Sequence, residues 1–183
     1  MTWPHDLIGA PQVAALLVLG QRGLEELHSA RNTRRLIAEG ATEAGREFYP
    51  VVVVTHLAWI AGVFFLLPAD APFLLLPFAV YMALQVARYW VIGTLGRYWT
   101  HRIITRAEAP IVRRGPYLHV RHPNYVITIA ETLLLPVVFG GWALGIIMAA
   151  VWSAVIRYKI QLEDRALGER RAASEPHRST ATK

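Results

Sequence analysis

The residues best equipped for chemistry lie together in one basic loop and at the ends of the helices beside it. The loop reads Ala109-Pro110-Ile111-Val112-Arg113-Arg114-Gly115-Pro116-Tyr117-Leu118-His119-Val120-Arg121-His122-Pro123-Asn124-Tyr125. Gly115-Pro116 spells a turn. Pro123 suits the first position of a helix, where its missing N–H costs nothing. A helix opening there directs free N–H groups toward the membrane interface, a natural seat for an anionic group. The same basic residues would serve equally to anchor a helix end to lipid headgroups, and composition does not separate the two readings.

A second centre of chemistry is Glu131, set among Val126-Ile127-Thr128-Ile129-Ala130 and Thr132-Leu133-Leu134. An ionisable side chain inside an apolar helix is expensive and is a functional candidate by default. Burial would raise its pKa and suit it to act as a base toward a hydroxyl group. The competing reading is an interhelical hydrogen bond to Gln85 or Arg88, and the two carry equal weight. His56 reads as an ordinary polar contact. Arg88, near the end of its span, reads as a side chain that snorkels to the interface.

These residues must be positioned by membrane helices. The chain has 183 residues, 54% of them hydrophobic and none of them cysteine. A soluble domain is usually about 45–50% apolar, and here the excess falls in long runs separated by arginine-rich stretches. Disulfides and thiolate metal sites are excluded. The fold class expected is all-α, a polytopic membrane protein of about five spans of roughly 20 residues. They are read as Leu7 to Leu27, Phe48 to Leu67, Phe73 to Leu95, Asn124 to Phe139 and Trp142 to Ile156. The first is the weakest, because Gln21, Arg22, Glu25 and Glu26 crowd its end. The last two form a helical hairpin about Gly140-Gly141. Membrane β-strands are excluded, since no segment alternates polar and apolar residues over about 10 positions.

Arginines orient the spans. Arg22, Arg31, Arg34, Arg35 and Arg46 lie between spans one and two, and Arg97, Arg102, Arg106, Arg113, Arg114 and Arg121 between three and four. Arg157, Lys159, Arg165, Arg170, Arg171, Arg178 and Lys183 follow the hairpin. The other connections carry no basic residue. Basic loops face the cytosol, which puts the N-terminus outside and the C-terminus inside. The start of the chain lacks a basic signal region, so the first span is expected to be retained. The expected organisation is one membrane domain over 1–171 and a disordered cytoplasmic tail over 172–183. The formal charge of +6 suits anionic lipid headgroups, with no nucleic-acid partner.

Arg121-His122-Pro123-Asn124-Tyr125, with Gly115-Pro116-Tyr117 before it and Glu163-Asp164-Arg165-Ala166-Leu167 after the hairpin, resembles the isoprenylcysteine carboxyl methyltransferase superfamily. That superfamily includes phospholipid N-methyltransferases. The core resemblance covers Arg97 to Leu167. A closer one extends over nearly the whole chain, to small bacterial members associated with type III polyketide synthases that O-methylate alkylpyrone-type products. It is carried by Arg31-Asn32, Gly40-Ala41-Thr42-Glu43, Tyr49-Pro50 and Trp99-Thr100-His101-Arg102-Ile103-Ile104.

The resemblance implies S-adenosyl-L-methionine as cofactor, in a pocket between the loop and the last helix. Ala109, Pro110, Ile111, Val112, Tyr117, Arg121, His122, Pro123, Asn124, Tyr125 and Glu163 would line it. The cofactor's carboxylate suits histidine and N–H donors, and its amine and sulfonium suit Glu163 and aromatic faces. An interfacial aromatic belt is the other account of the tyrosines. The chain departs from the prenylcysteine enzymes in one place. Lys159 stands where they have a substrate-contacting arginine, with Arg157 two positions earlier, and lysine lacks the fork that matches a carboxylate.

The function expected is therefore O-methyl transfer to a lipophilic acceptor, an alkylpyrone or phenolic polyketide hydroxyl. The acceptor would enter from the membrane and the cofactor from the cytosol, with Glu131, Lys159 and Arg157 as the catalytic candidates. The protein would sit as a monomer in a bacterial inner membrane, supplied by a type III polyketide synthase of the same pathway. The alternatives are prenylcysteine carboxyl methylation, phospholipid N-methylation and a non-catalytic membrane protein. Polar residues clustered at one face, not along a path through the bilayer, speak against the last.

Overall fold

The computed structural model describes residues 8–105 and 114–174. Helices dominate it: α1 spans Ala10–Ala38, α2 Tyr49–Leu66, α3 Leu75–Leu95, α4 Pro123–Val138 and α5 Trp142–Ser174. Proline opens α1, α2 and α4 within their first two positions, where it has no hydrogen bond to lose. Three segments, Arg46–Leu66, Leu75–Tyr98 and Trp142–Ala166, are long and apolar enough to cross a membrane, and Pro123–Val138 is a shorter apolar helix. Their outer faces show large apolar side chains, with Phe65 78%, Leu76 76% and Val86 72% exposed. In water that surface would be untenable; against lipid it is the ordinary solvent-facing side.

The helices alternate in direction. At one end, Gln12 in the first turn of α1 donates to the carbonyls of Phe64 and Leu67 at the close of α2, at 2.9 and 2.8 Å. The Leu74 N–H reaches the Val138 carbonyl there at 2.8 Å. Gly9 is required at this end, because a Cβ on it would fall 1.8 Å from the Ala69 carbonyl oxygen. A core of Ala15, Val18, Trp59, Ile60, Val63, Tyr81, Leu135 and Phe139 fills the space behind. At the other end, β1 (Thr42–Ala44) and β2 (Ile103–Thr105) form a short antiparallel ribbon, with Glu43 opposite Ile104. It ties the segment after α1 to the segment after α3. The sequence reading contained no such ribbon, since three-residue strands carry too little alternation to register.

Two boundaries differ from expectation. The first helix does not stop near Leu27; it runs on to Ala38. The charges read as its end sit mid-helix and face the bundle. Arg22 bonds Glu25 and Glu131, both at 2.7 Å, and Arg88 of α3 meets Glu25 twice, at 2.8 and 2.6 Å. Arg22 is thus a buried partner and not a loop residue, and Arg88, 1% exposed, does not snorkel. The last helix continues past Ile156 to Ser174, because Lys, Gln, Glu, Arg and Ala are good helix formers outside an apolar setting as well. The boundary placed at 171/172 therefore falls inside α5, and the rest of the expected tail, 175–183, lies outside the described residues. The hairpin about Gly140-Gly141 is present: Gly140 has φ +72°, and the Gly141 N–H returns to the Pro136 carbonyl at 2.9 Å.

Candidate active site

At the ribbon end, the start of α4 faces the far half of α5. His122 is the N-cap of α4 and Pro123 its first residue, as the sequence led us to expect. The His122 and Tyr125 rings stack, with centroids 5.1 Å apart and planes 11° from parallel. The Tyr125 hydroxyl donates to a Glu163 oxygen, while the other Glu163 oxygen lies 3.7 Å from His122 Nδ1. Arg121 and Asp164 form an exposed ion pair at 2.6 Å, and neither lines the cavity that these groups border. On the far side of Tyr125, Lys159 Nζ stands 5.1 Å from the ring centroid and donates to the His101 carbonyl at 2.8 Å. The extension of α5 beyond the apolar run is what delivers Lys159 and Glu163 to this end.

Tyr117 enters from a turn of 3₁₀ helix at Gly115–Leu118. That turn is pinned to α3 by Arg114 Nη2, 3.0 Å from the Thr94 carbonyl. Gly115 has φ +55°, and a Cβ there would come within 2.9 Å of Thr94 Oγ1, so glycine is the residue that fits. Tyr117, His122, Asn124, Tyr125 and Glu163 line one side of a cavity of about 250 Å³; Tyr98, Trp99, Thr100 and the β2 residues line the other. That second wall is fixed by Asn32 of α1, whose Nδ2 donates to the Gly96 and Trp99 carbonyls at 3.1 and 2.8 Å.

Electrostatically the cavity is mixed. Burial, with the Glu163 carboxylate beside it, pushes the Tyr117 phenol up to about 12, so it stays a neutral donor. Burial draws His122 below the ordinary histidine value, against the pull of Glu163 in the other direction. Two buried polar atoms at the cavity, His122 Nε2 and Asn124 Oδ1, have no hydrogen-bond partner among the described residues. Buried polar groups are nearly always paired, and unpaired ones in a cavity wall are what a ligand would satisfy.

Not every expected residue is here. Glu131 does not line this cavity. Its carboxylate is fully engaged by Arg22, Arg88 at 3.2 Å and Gln85 at 2.9 Å, so of its two readings the interhelical bond is the one the geometry carries. Arg157 is exposed and lines neither this cavity nor the narrow space behind it. The segment Ala109, Pro110, Ile111 and Val112 lies outside the described residues. Asn32 and the Tyr98–Thr100 wall had no role assigned in advance, although Arg31-Asn32 and Trp99–Ile104 are among the residues that carry the resemblance. His56 meets Trp152 edge-on at 4.4 Å, a packing contact.

Residues 75–169, which hold every described residue of the cavity, match the model of the isoprenylcysteine carboxyl methyltransferase (ICMT) family. The chain belongs to the ICMT family. It is accordingly an integral membrane protein and a methyltransferase of a family whose enzymes generally take their methyl group from S-adenosylmethionine. Among curated proteins, this ICMT-family chain is 30% identical over 161 residues to the uncharacterized protein YpbQ of Bacillus subtilis (strain 168), covering 86% of this chain and 95% of that one. No solved structure matches it significantly.

Proposed function

We propose that this chain is an S-adenosylmethionine-dependent O-methyltransferase with its cofactor in the cavity between the 3₁₀ turn and α5. The observation that carries the reading is the pairing of unlike demands in one small space. His122 Nε2 offers a donor for the cofactor's carboxylate. Asn124 Oδ1 and Glu163 offer acceptors for its ammonium. The Tyr117 face suits its sulfonium. When bound, the cofactor supplies an electrophilic methyl with a good leaving group already in place. The protein's tasks are then to fix the approach and exclude water. A lipophilic hydroxyl acceptor, of alkylpyrone or alkylphenol type, is favoured over a prenylcysteine carboxylate because the Lys159 ammonium is held by the His101 carbonyl and the Tyr125 face.

Titration of detergent-solubilised protein with S-adenosylmethionine tests this. His122→Ala and Glu163→Gln should each weaken binding by about 1–3 kcal/mol, the usual loss for a hydrogen bond to a charged group. Unchanged affinity in both folded variants would empty this cavity of its proposed ligand.

The reading places the cavity at the cytosolic face of a bacterial inner membrane, with the N-terminus outside. There a type III polyketide synthase would supply the acceptor to a monomeric enzyme bathed in lipid. Among the described residues, the basic connections after α1 and α3 and the polar half of α5 share the ribbon end, which supports that orientation. The chain has no cysteine, so Asp70→Cys and His119→Cys each give a single label. Impermeant maleimide should reach them from opposite sides of sealed vesicles, Asp70→Cys from outside the cell. Labelling of both from one side would reverse the assignment.

A further inference from the structure

His101, in the turn between α3 and β2, is held from several directions at once. Its backbone N–H donates to Ser29 Oγ at 2.8 Å, and its carbonyl accepts from Lys159 at 2.8 Å. Its ring meets Trp99 at 4.7 Å, edge to face. Its Nδ1 lies 2.8 Å from Glu26 Oε2, and Tyr49 also bonds that carboxylate. A turn residue clamped by α1, α5 and its own neighbour is oriented far more closely than chain reversal requires. Such rigid placement of one ring is what catalytic side chains need.

The ring also stands where cavities meet. Between α1 and α2 lies a second cavity of about 230 Å³, walled mainly by Leu19, Val53, Leu57 and Ile60, with His101 and Glu26 at its polar end. His101 is also a wall of a narrow space of about 30 Å³ behind it, together with Asn124, Tyr125 and Lys159. Asn124 and Tyr125 are in turn walls of the cofactor cavity. The imidazole thus sits between an apolar chamber suited to an alkyl chain and the space assigned to the methyl donor.

We propose that His101, oriented by Glu26, is the base that takes the proton from a neutral hydroxyl acceptor lodged in the chamber between α1 and α2. The proposal rests on the methyltransferase reading above. A carboxylate at Nδ1 accepts that nitrogen's N–H and leaves the Nε2 lone pair free. The acceptor's O–H proton moves to Nε2 as an oxygen lone pair forms the bond to the methyl carbon. The carbon–sulfur bonding pair passes to sulfur, the sulfonium donor leaves as a neutral thioether, and the imidazolium then yields its proton to water. An acceptor already ionised, such as a carboxylate, has no use for this pair; a phenol or weakly acidic enol does. The dyad therefore defines the class of acceptor.

The groups that bear on the ring are Arg22, Glu25 and Glu26 from α1, Tyr49 and His56 from α2, Arg88 from α3 and Lys159 from α5. Burial holds His101 below the ordinary histidine range, against the upward pull of Glu26. That shift favours the neutral ring, whose lone pair is free. Activity on a simple phenol should fall only as the pH drops through this depressed value, since the protonated ring has no lone pair to offer.

The test uses the full chain in detergent with two probes, a para-dodecyl phenol and its ortho-nitro derivative, whose phenolate absorbs visible light. Without cofactor, the bound nitrophenol should ionise at a lower pH in native protein than in His101→Gln, by about one unit or more, because an imidazolium forms beside the phenolate. With cofactor, His101→Gln should lose about 10²–10⁴-fold in kcat/KM on the plain phenol, the span of general-base catalysis. Its loss on the ionised nitrophenol should be much smaller. Glu26→Gln should lose activity in the same pattern and Glu26→Asp recover part of it, with retained S-adenosylmethionine binding showing that each variant is folded. Equal losses on the two phenols, or an unmoved nitrophenol titration, overturn the proposal. A shifted titration in native protein that methylates neither phenol upholds the dyad and overturns the methyltransferase reading instead.

Discussion

Glu131→Gln is expected to cost the fold about 3–5 kcal/mol, the price of leaving a buried ion cluster unbalanced. Arg22, Glu25, Arg88 and Glu131 are each under 10% exposed, and their two positive and two negative charges cancel. Removing one carboxylate leaves Arg22 with Glu25 alone, already shared with Arg88, and a net positive charge in the middle of the bundle. Unfolding in dodecyl sulfate, followed by circular dichroism, reads the loss. The companion is Glu131→Gln combined with Arg22→Met. It restores neutrality and leaves the two-point Arg88–Glu25 pair intact, so most of the stability should return. A double variant no more stable than the single one would show that charge balance is not what the cluster provides. The fraction of Glu131→Gln that folds should still methylate, because the carboxylate lines no part of the cofactor cavity.

The second large effect is expected at Gly145, in the first turn of α5. A Cβ there would stand 2.5 Å from the Leu133 carbonyl oxygen. That oxygen belongs to the backbone of α4 and cannot swing aside, so Gly145→Val must separate the arms of the hairpin. Overpacking of this kind costs about 1–3 kcal/mol or more. The same displacement moves Glu163 on α5 away from Tyr125 on α4, so affinity for S-adenosylmethionine should drop with the melting temperature, although Gly145 lies at the other end of the helix. Gly93→Ala is the contrast. Nothing lies within 4 Å of its added methyl, and helix propensity alone predicts a gain of about 0.5–1 kcal/mol. A Gly145→Val variant as stable as native would mean that the arms are not in contact at this point.

The parts of the molecule legible in the sequence were those written in a single segment. The hairpin and the helix opening at Pro123 follow from local chemistry, whereas the grouping of His122, Tyr125 and Glu163 was implied by the family resemblance. What escaped was whatever depends on two distant segments. Arg22, Glu25 and Glu26 look like the end of a span until Arg88 and Glu131 are brought beside them; only then are charges inside the helix affordable. Glu131 stayed divided between a base and a bond to Gln85 or Arg88 for the same reason, because its partners lie 43 or more residues away in sequence. His101 gave no signal of its own. It lies outside a span, in a basic loop, and becomes notable only once α1 delivers Glu26 and Ser29 to it and α5 delivers Lys159.

The ribbon between β1 and β2 joins two portions of the chain with different standing in the family. Residues 75–169 match the family model and contain every described wall of the cofactor cavity; α1 and α2 lie before that match and form the chamber opposite. On the proposed assignment, donor and acceptor would be handled by separable stretches of polypeptide, stitched at Thr42–Thr105 and by the clasp of Glu26 on His101. Such a division would let a lineage exchange what it methylates by rewriting its first two helices, while the machinery that delivers the methyl group is inherited intact.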